Sequence, residues 1–362
     1  MTTLDILSCG AVTPVGLDAF QTAAAFRAGV AGFEGAIPLP PPQEPLRAAR
    51  IPSRASLRRT PSAWLVNLAA RGIREALSYR TLEGRLGIVM CFPEQARQYA
   101  GPDPNANTTL FRAILDAAGH RFERAIIAAE GGAGVASALE LAAAMLSRRE
   151  ADACVVAGAD SLLNATDIAA LRASGRMLEP GNPRALIPGE AAGAFVVGLA
   201  DRHRGAIARV LAVAAASEAD AVIGGRLSQG RAFEAALQAT SATVPEPDIS
   251  FRVSTTNGEH YATWESMFFA TRYYRTRRER LPVWYPASAL GETGAASGVL
   301  TIILAAFGIA GGYAPGPYAM CEAASDTGLR AACVVGPAPG ASVPPFRAEE
   351  GASSRILDTM HG

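Results

Sequence analysis

The chain has 362 residues, 49% of them hydrophobic and 18% charged, and its formal net charge is zero. This composition can build a substantial core, excludes a disordered chain, and supplies no global field to recruit nucleic acid or a membrane surface. All 33 basic residues are arginine, which also excludes Schiff-base and P-loop lysine chemistry.

Taken in chain order, residues 4–9 read as an apolar strand that ends at Gly10 and turns at Thr13 and Pro14. Residues 43–59 are rich in Pro and Arg and read as a surface loop. Residues 61–79 place Leu65, Leu68, Ile73 and Leu77 at helical spacing. Strands are expected over 85–92 and 125–129, a small-residue helix over 134–148, and strands over 153–157, 194–199 and 206–213. The order then recurs. A helix over 231–239 leads to a strand at 248–254, a loop at 255–261, a helix at 264–275 and a short strand at 282–285. An apolar helix at 292–307 and strands at 318–321 and 330–335 complete the pattern. Residues 337–362 read as a loose Pro- and Gly-rich tail.

This alternation predicts an α/β protein with a parallel-rich sheet covered by helices. Residues 295–312 are nearly free of charge and about long enough to span a bilayer. They are also rich in Gly and Ala and lack a close basic flank, so a helix buried on all sides is expected and no membrane span. The segments starting at Gly131 (GGAGVASALELAAAML) and Gly291 (GETGAASGVLTIILAAF) echo each other. Both are glycine-led, small at the start and apolar throughout, as two helices in close contact at the centre of a fold would need.

None of the five cysteines, Cys9, Cys91, Cys154, Cys321 and Cys333, forms a C-x-x-C pair. A zinc site is therefore not expected, nor is any metal or cofactor. The cysteines lie in or beside apolar runs, where a free thiol acts as a small hydrophobe. With an odd count and no signal peptide, a cytoplasmic location is expected.

Residues 286–299 read PASALGETGAASGV. Without a gap, this resembles the β-ketoacyl synthase motif V-K-S-N-I-G-H-T-x-A-A-A-G-V of the thiolase superfamily. GAVTPVG at 10–16, the run from Ala136 to Ser161 and PGEAAGAF at 188–195 resemble the family in the same order. The resemblance implies a five-layer αβαβα fold built from two similar halves, at 1–204 and 205–336. It also implies dimerisation through the strand before the nucleophile, here 125–129.

Carried over residue by residue, the resemblance implies a degenerate active site. The nucleophilic cysteine becomes Gly132, with Gly131 or Ala133 one position either side. The first histidine, of H-G-T-G-T, becomes Asn257 in Asn257-Gly258-Glu259-His260-Tyr261. The lysine becomes Ala287 and the second histidine Glu292. The G-F-G-G gate becomes Ser325-Asp326-Thr327-Gly328. Asparagine donates a hydrogen bond but cannot exchange a proton near neutrality, and an ionised glutamate would repel an oxyanion. Glu130, Glu259 and His260 are further candidate polar residues of the relic pocket. Arg272, Arg275, Arg277, Arg278 and Arg280 (within TRYYRTRRER) form a candidate docking surface for an acidic partner, or else a solvated helix end.

The expected function is therefore a catalytically inactive ketosynthase homologue that works as a partner, scaffold or adaptor. Its protein partner would be an active ketosynthase (as for a chain-length factor), an acyl carrier protein, or an unrelated client such as a secreted effector. The protein would be a homodimer or a heterodimer. The alternatives are an acyltransferase with non-cysteine chemistry and an acyl-chain binder. An open pocket lined by Asn257, His260 and Glu292 would favour the alternatives, and a pocket filled by side chains would favour the scaffold.

Overall fold

The computed structural model describes residues 2–37, 45–52, 60–94 and 106–341. Most of the expected tail, from 342 on, lies outside the described residues, as do parts of the expected loop at 43–59. The described part of that loop corrects the expectation, because it contains a strand.

The first half runs β1 (Leu4–Val12), α1 (Ala19–Arg27), β2 (Phe33–Ile37), β3 (Leu46–Ala49), α2 (Pro61–Ser78), β4 (Leu86–Cys91), α3 (Ala106–Ala118), β5 (Arg124–Ala128), α4 (Gly134–Ser147), β6 (Ala153–Ser161), α5 (Ala165–Ala173) and β7 (Glu190–Leu199). The second half runs β8 (Ala208–Ser217), α6 (Arg231–Thr240), β9 (Phe251–Ser254), α7 (His260–Tyr273), β10 (Val283–Trp284), α8 (Ala287–Leu290), α9 (Ser297–Ala310), β11 (Ala319–Ala324) and β12 (Leu329–Gly336).

The halves share one topology. The first orders its main sheet β1-β7-β6-β4-β5, antiparallel at the first two pairings and parallel at the last two. The second orders its sheet β8-β12-β11-β9-β10 with the same succession of directions. β1 and β8 pair antiparallel over Leu4↔Val210, Asp5↔Arg209 and Ile6↔Ala208, so the ten strands form one ladder. At this seam Arg209 Nε donates to the Asp5 carboxylate at 2.6 Å.

Five layers follow from which faces are apolar. α2 and α3 cover the outer face of the first sheet, α6 and α7 the outer face of the second, and α4 and α9 lie between the sheets. The strands alternate their side chains between cores, as the two-residue period of a pleated strand requires. In β4, Ile88 and Met90 join the α2/α3 core while Val89 and Cys91 join the central one. In β12, Ala332 and Val334 face α6 and α7, and Cys333 and Val335 face the centre.

The central position explains the apolar sequence of α9. Every residue from Ser297 to Gly308 is buried, and at about 1.5 Å per residue its 14 residues fall short of a bilayer's ~30 Å core. No helix among the described residues is long and apolar enough to cross a membrane. α4 and α9 meet at their N-termini through glycines. A Cβ at Gly298 would collide with the Gly132 carbonyl oxygen and come within 2.8 Å of Val135 Cγ1.

The second half carries two buried ion pairs under α7. Arg252 donates to both oxygens of Glu322, at 2.7 Å each. Arg330, 1% exposed, donates from Nε to both oxygens of Glu265 at 3.0 and 2.9 Å.

Candidate functional site

The turn joining β5 to α4 stands where the resemblance places a nucleophile. Gly131 takes a positive φ of +66°, a backbone conformation that side chains disfavour, and its N–H donates to the Phe92 carbonyl at 3.0 Å. A Cβ at Gly132 would fall inside 3.0 Å of Ser297 Oγ, at 3.0 Å from the Ala324 carbonyl oxygen and 3.2 Å from that of Gly294. Ala133 is fully buried. The turn thus lacks a thiol, and the space a side chain at Gly132 would need is filled by the start of α9 and the end of β11.

A polar residue from the far end of the chain braces this turn. Ser325 Oγ accepts from Ala133 N at 2.9 Å and donates to the Glu130 carbonyl oxygen. Ser325 opens the β11–β12 hairpin, closed by Ser325 N to Leu329 O at 2.9 Å and Gly328 N to Ser325 O at 3.1 Å. This is the stretch that replaces the family's G-F-G-G.

Asn257 and Glu292, from the two positions where imidazoles would stand, bond each other. Asn257 Nδ2 donates to Glu292 Oε2 at 2.6 Å and to Glu259 Oε2 at 3.0 Å. Glu292 Oε1 accepts from Gly294 N at 2.8 Å. Glu292 lies in the short segment between α8 and the 3₁₀ turn Gly294–Ala296 that leads into α9, not in the helix expected from 292. Its backbone pairs with Ile187 and Gly189 on the other half, at 2.8 and 2.9 Å. Burial pushes its pKa from 4.5 up to about 7. The Asn257 hydrogen bond opposes that rise, and the charge of Asp326 adds to it.

Sequence reasoning missed the guanidinium that organises the rest. Arg176 donates to Glu259 at 2.7 and 2.9 Å and to Asp326 at 2.6 and 3.0 Å. Asp326 N in turn donates to Glu94 Oε1 at 2.8 Å. Both carboxylates raise the Arg176 pKa, overcoming the lowering by burial, so it stays charged.

These residues form the floor of an open cavity of about 660 Å³. Gly132, Asn257, Glu259, His260, Glu292, Glu94, Arg176 and Asp326 all line it. Its apolar wall is built by Leu162, Leu171, Leu186 and Phe233, and the exposed Ile223, Leu227, Arg184 and Arg226 sit at its rim. Of the expected residues, Gly132, Asn257, Glu259, His260 and Glu292 are therefore brought together. Glu130 and Ala287 do not line the cavity. Glu130 keeps Oε2 buried and unpaired beside the turn, and Ala287 starts α8. The His260 ring lies 6.0 Å from that of Trp264, on the exposed side of α7.

All five cysteines are free and lie inside strands, and none lines the cavity. Burial raises every one of their thiol pKa values; those of Cys91 and Cys154 are pushed to about 12. No cluster of three or more His, Cys, Asp or Glu able to hold a metal exists among the described residues. The cavity can bind a molecule and, at Glu292, hold or release a proton near neutrality. It offers no sulfur for an acyl chain.

The arginine run divides in two. Arg272 pairs with Glu234 at 2.6 Å, and Arg278 pairs with Glu246 and donates to the Ile249 carbonyl at 2.7 Å. Those two fasten α7 and the segment after it to their own half. Arg275, Arg277 and Arg280 are exposed.

No protein-family model and no curated protein matches the sequence. Solved structures do match. The ketosynthase from module 6 of the bacillaene synthase of Bacillus subtilis 168 superposes with a TM-score of 0.72 at 13% identity, covering 92% of this chain and 72% of that one. The ishigamide ketosynthase/chain length factor gives 0.68 at 20% identity, covering 93% and 99%. A β-ketoacyl synthase from Burkholderia phymatum STM815 gives 0.70 at 16% identity, covering 93% and 100%. The chain has the thiolase-like ketosynthase fold. At these identities the likeness is one of fold.

Proposed function

We propose that this ketosynthase-fold chain performs no acyl condensation and works as a non-catalytic protein partner. The observation that carries this reading is the turn at Gly132. Covalent acyl transfer needs a nucleophilic atom, and at this turn the atom is missing and its space is taken. Two further features support the reading. The Asn257 amide and the Glu292 carboxyl satisfy each other in place of two imidazoles, and an ionised Glu292 would oppose a developing oxyanion. The chain divides into halves at 1–204 and 205–336, and five free buried thiols suit a reducing compartment such as the cytoplasm.

The partner is an active ketosynthase, an acyl carrier protein or an unrelated client, and the edge strand β5 is the proposed dimer seam. β5 pairs with β4 on one side and ends the ladder, with Ile126 and Ile127 half-buried. Light scattering of the purified chain, alone and mixed with a ketosynthase, separates homodimer from heterodimer.

A second reading rests on the open cavity. Its wall is apolar and its volume lies in the usual range for small-molecule sites. An open cavity lined by Asn257, His260 and Glu292 favours the two alternatives, an acyltransferase with non-cysteine chemistry and an acyl-chain binder, over a fully plugged scaffold. The direct test is incubation with malonyl- and acyl-loaded carrier protein, followed by mass spectrometry of the products. The expected result is neither condensation nor decarboxylation. Turnover that vanishes in Asn257→Ala or Glu292→Ala overturns the proposal in favour of altered chemistry.

A further inference from the structure

We propose that the face built by α7 and the segment 222–230 is a docking surface for an acidic amphipathic helix of a partner protein. This deepens, and rests on, the reading of the chain as a non-catalytic partner. Seven large hydrophobic side chains are exposed among the described residues, and four of them belong to this face: Ile223 (62%), Leu227 (43%), Trp264 (37%) and Met267 (63%). Clustering of this kind marks an interaction site, whereas single exposed hydrophobics do not.

The two segments form one surface. The Gln229 carbonyl accepts from Arg272 on α7. A Cβ at Gly230 would lie 2.9 Å from the Glu265 carbonyl oxygen and 3.0 Å from Phe269 Cβ. Ile223, Leu227 and His260 line the same cavity. Along α7, His260, Trp264, Phe268 and Arg272 recur every fourth residue. Their rings are 6.0 and 5.0 Å apart, and the guanidinium lies 5.9 Å over Phe268. Residues at this spacing form a ridge that fits the groove of another helix. The outer cores do not need Trp264 or Met267, since α7 seals its own half with Glu265, Phe269 and Tyr273.

Charge selects the occupant. Past the end of α7, Arg275, Arg277 and Arg280 are exposed and enter none of the ion pairs formed among the described residues. Glu279 is the one acidic residue among them. Unneutralised cations in the segment that follows the ridge favour acidic side chains on the partner. A second copy of this chain would offer through this patch the same uncompensated arginines and no acidic face, so it complements the patch less well than an acidic helix does.

The test uses the full chain and fluorescence anisotropy. Two labelled helical peptides carry the same leucine stripe, one with a glutamate-rich and one with an arginine-rich polar face, and a single-stranded oligonucleotide serves as a third probe. The expected result is a glutamate peptide bound at least about tenfold more tightly than the arginine peptide, with affinity falling as salt rises. The variant W264A/M267A is expected to lose at least about tenfold in affinity at an unchanged thermal midpoint, and R275E/R277E/R280E to invert the preference. Equal binding of the two peptides, no binding, or indifference to these substitutions overturns the inference. So does an oligonucleotide bound more tightly than the glutamate peptide, or a self-association that W264A/M267A abolishes. Acyl turnover would instead overturn the non-catalytic reading, so the two failures are distinguishable.

Discussion

Gly132→Cys puts back the atom that the turn lacks, and the structure predicts that the chain resists it. The new Cβ would fall inside 3.0 Å of Ser297 Oγ and meet the carbonyl oxygens of Ala324 and Gly294 at 3.0 and 3.2 Å. Ser297 is a short side chain that can turn away. The two carbonyls belong to the end of β11 and the turn before α9, so they move only with the backbone. Overpacking of this kind costs about 1–3 kcal/mol, and contact with backbone on two sides places the expectation near the top of that range. At roughly 2–4 °C per kcal/mol for large domains, the midpoint should fall by several degrees. Ser297→Ala in the same chain should recover about 1 kcal/mol of the loss as a coupling between the two sites. Urea unfolding followed by circular dichroism measures both quantities. Iodoacetamide labelling of the folded variant, read by mass spectrometry, asks whether the thiol is reachable. A Gly132→Cys variant as stable as the parent and alkylated like a free exposed thiol would refute the reasoning, because the site would then have kept its room and lost only its sulfur.

Three other expectations follow from the same structure. The five native thiols should fail to react with a disulfide reagent at pH 8 and should all react once the chain is unfolded, since burial raises each thiol pKa; rapid reaction of one native thiol would contradict their placement in strands. Glu292 has a folded pKa of about 7, above its ordinary 4.5, so its contribution to stability is full below pH 4.5 and is lost as pH rises through 7. Glu292→Gln removes that ionisation and should gain on the parent by about 2–3 kcal/mol between pH 5 and pH 8 in paired denaturation curves, and a flat difference would refute it. Glu265→Gln strands the Arg330 guanidinium in the core and should cost about 3–5 kcal/mol, whereas replacing both partners by methionine should cost much less.

The alternation of elements was readable in the sequence because it rests on local spacing. The buried cysteine strands, the amphipathic α2 and the wholly apolar α9 all announce themselves within one window of residues. α1 and α5 do not. Each is nine residues long, and α5 buries only Leu171, so neither imposes a clear apolar period. β10, a two-residue ladder next to β9, was readable as the short strand expected at 282–285. The candidate site divides in the same way. Gly132, Asn257 and Glu292 could be marked because they interrupt motifs. Arg176, Glu94 and the bracing role of Ser325 could not, since Arg176 meets Asp326 150 positions on and Ser325 reaches back 192 positions to Ala133. Nothing local in S-G-R-M predicts a guanidinium clamped between two carboxylates.

Two sheets share the pair of helices that separates them. α4 belongs to the first half yet packs on β8 and β12, and α9 belongs to the second yet packs on β1, β6 and β7. Neither half owns a finished interior. If the polypeptide were split between β7 and β8, each fragment would present one bare greasy surface to water, and the fragments would survive only by finding each other. The repeated topology thus joins two halves that each depend on the other for an interior, and melting should proceed as a single event for the whole described body.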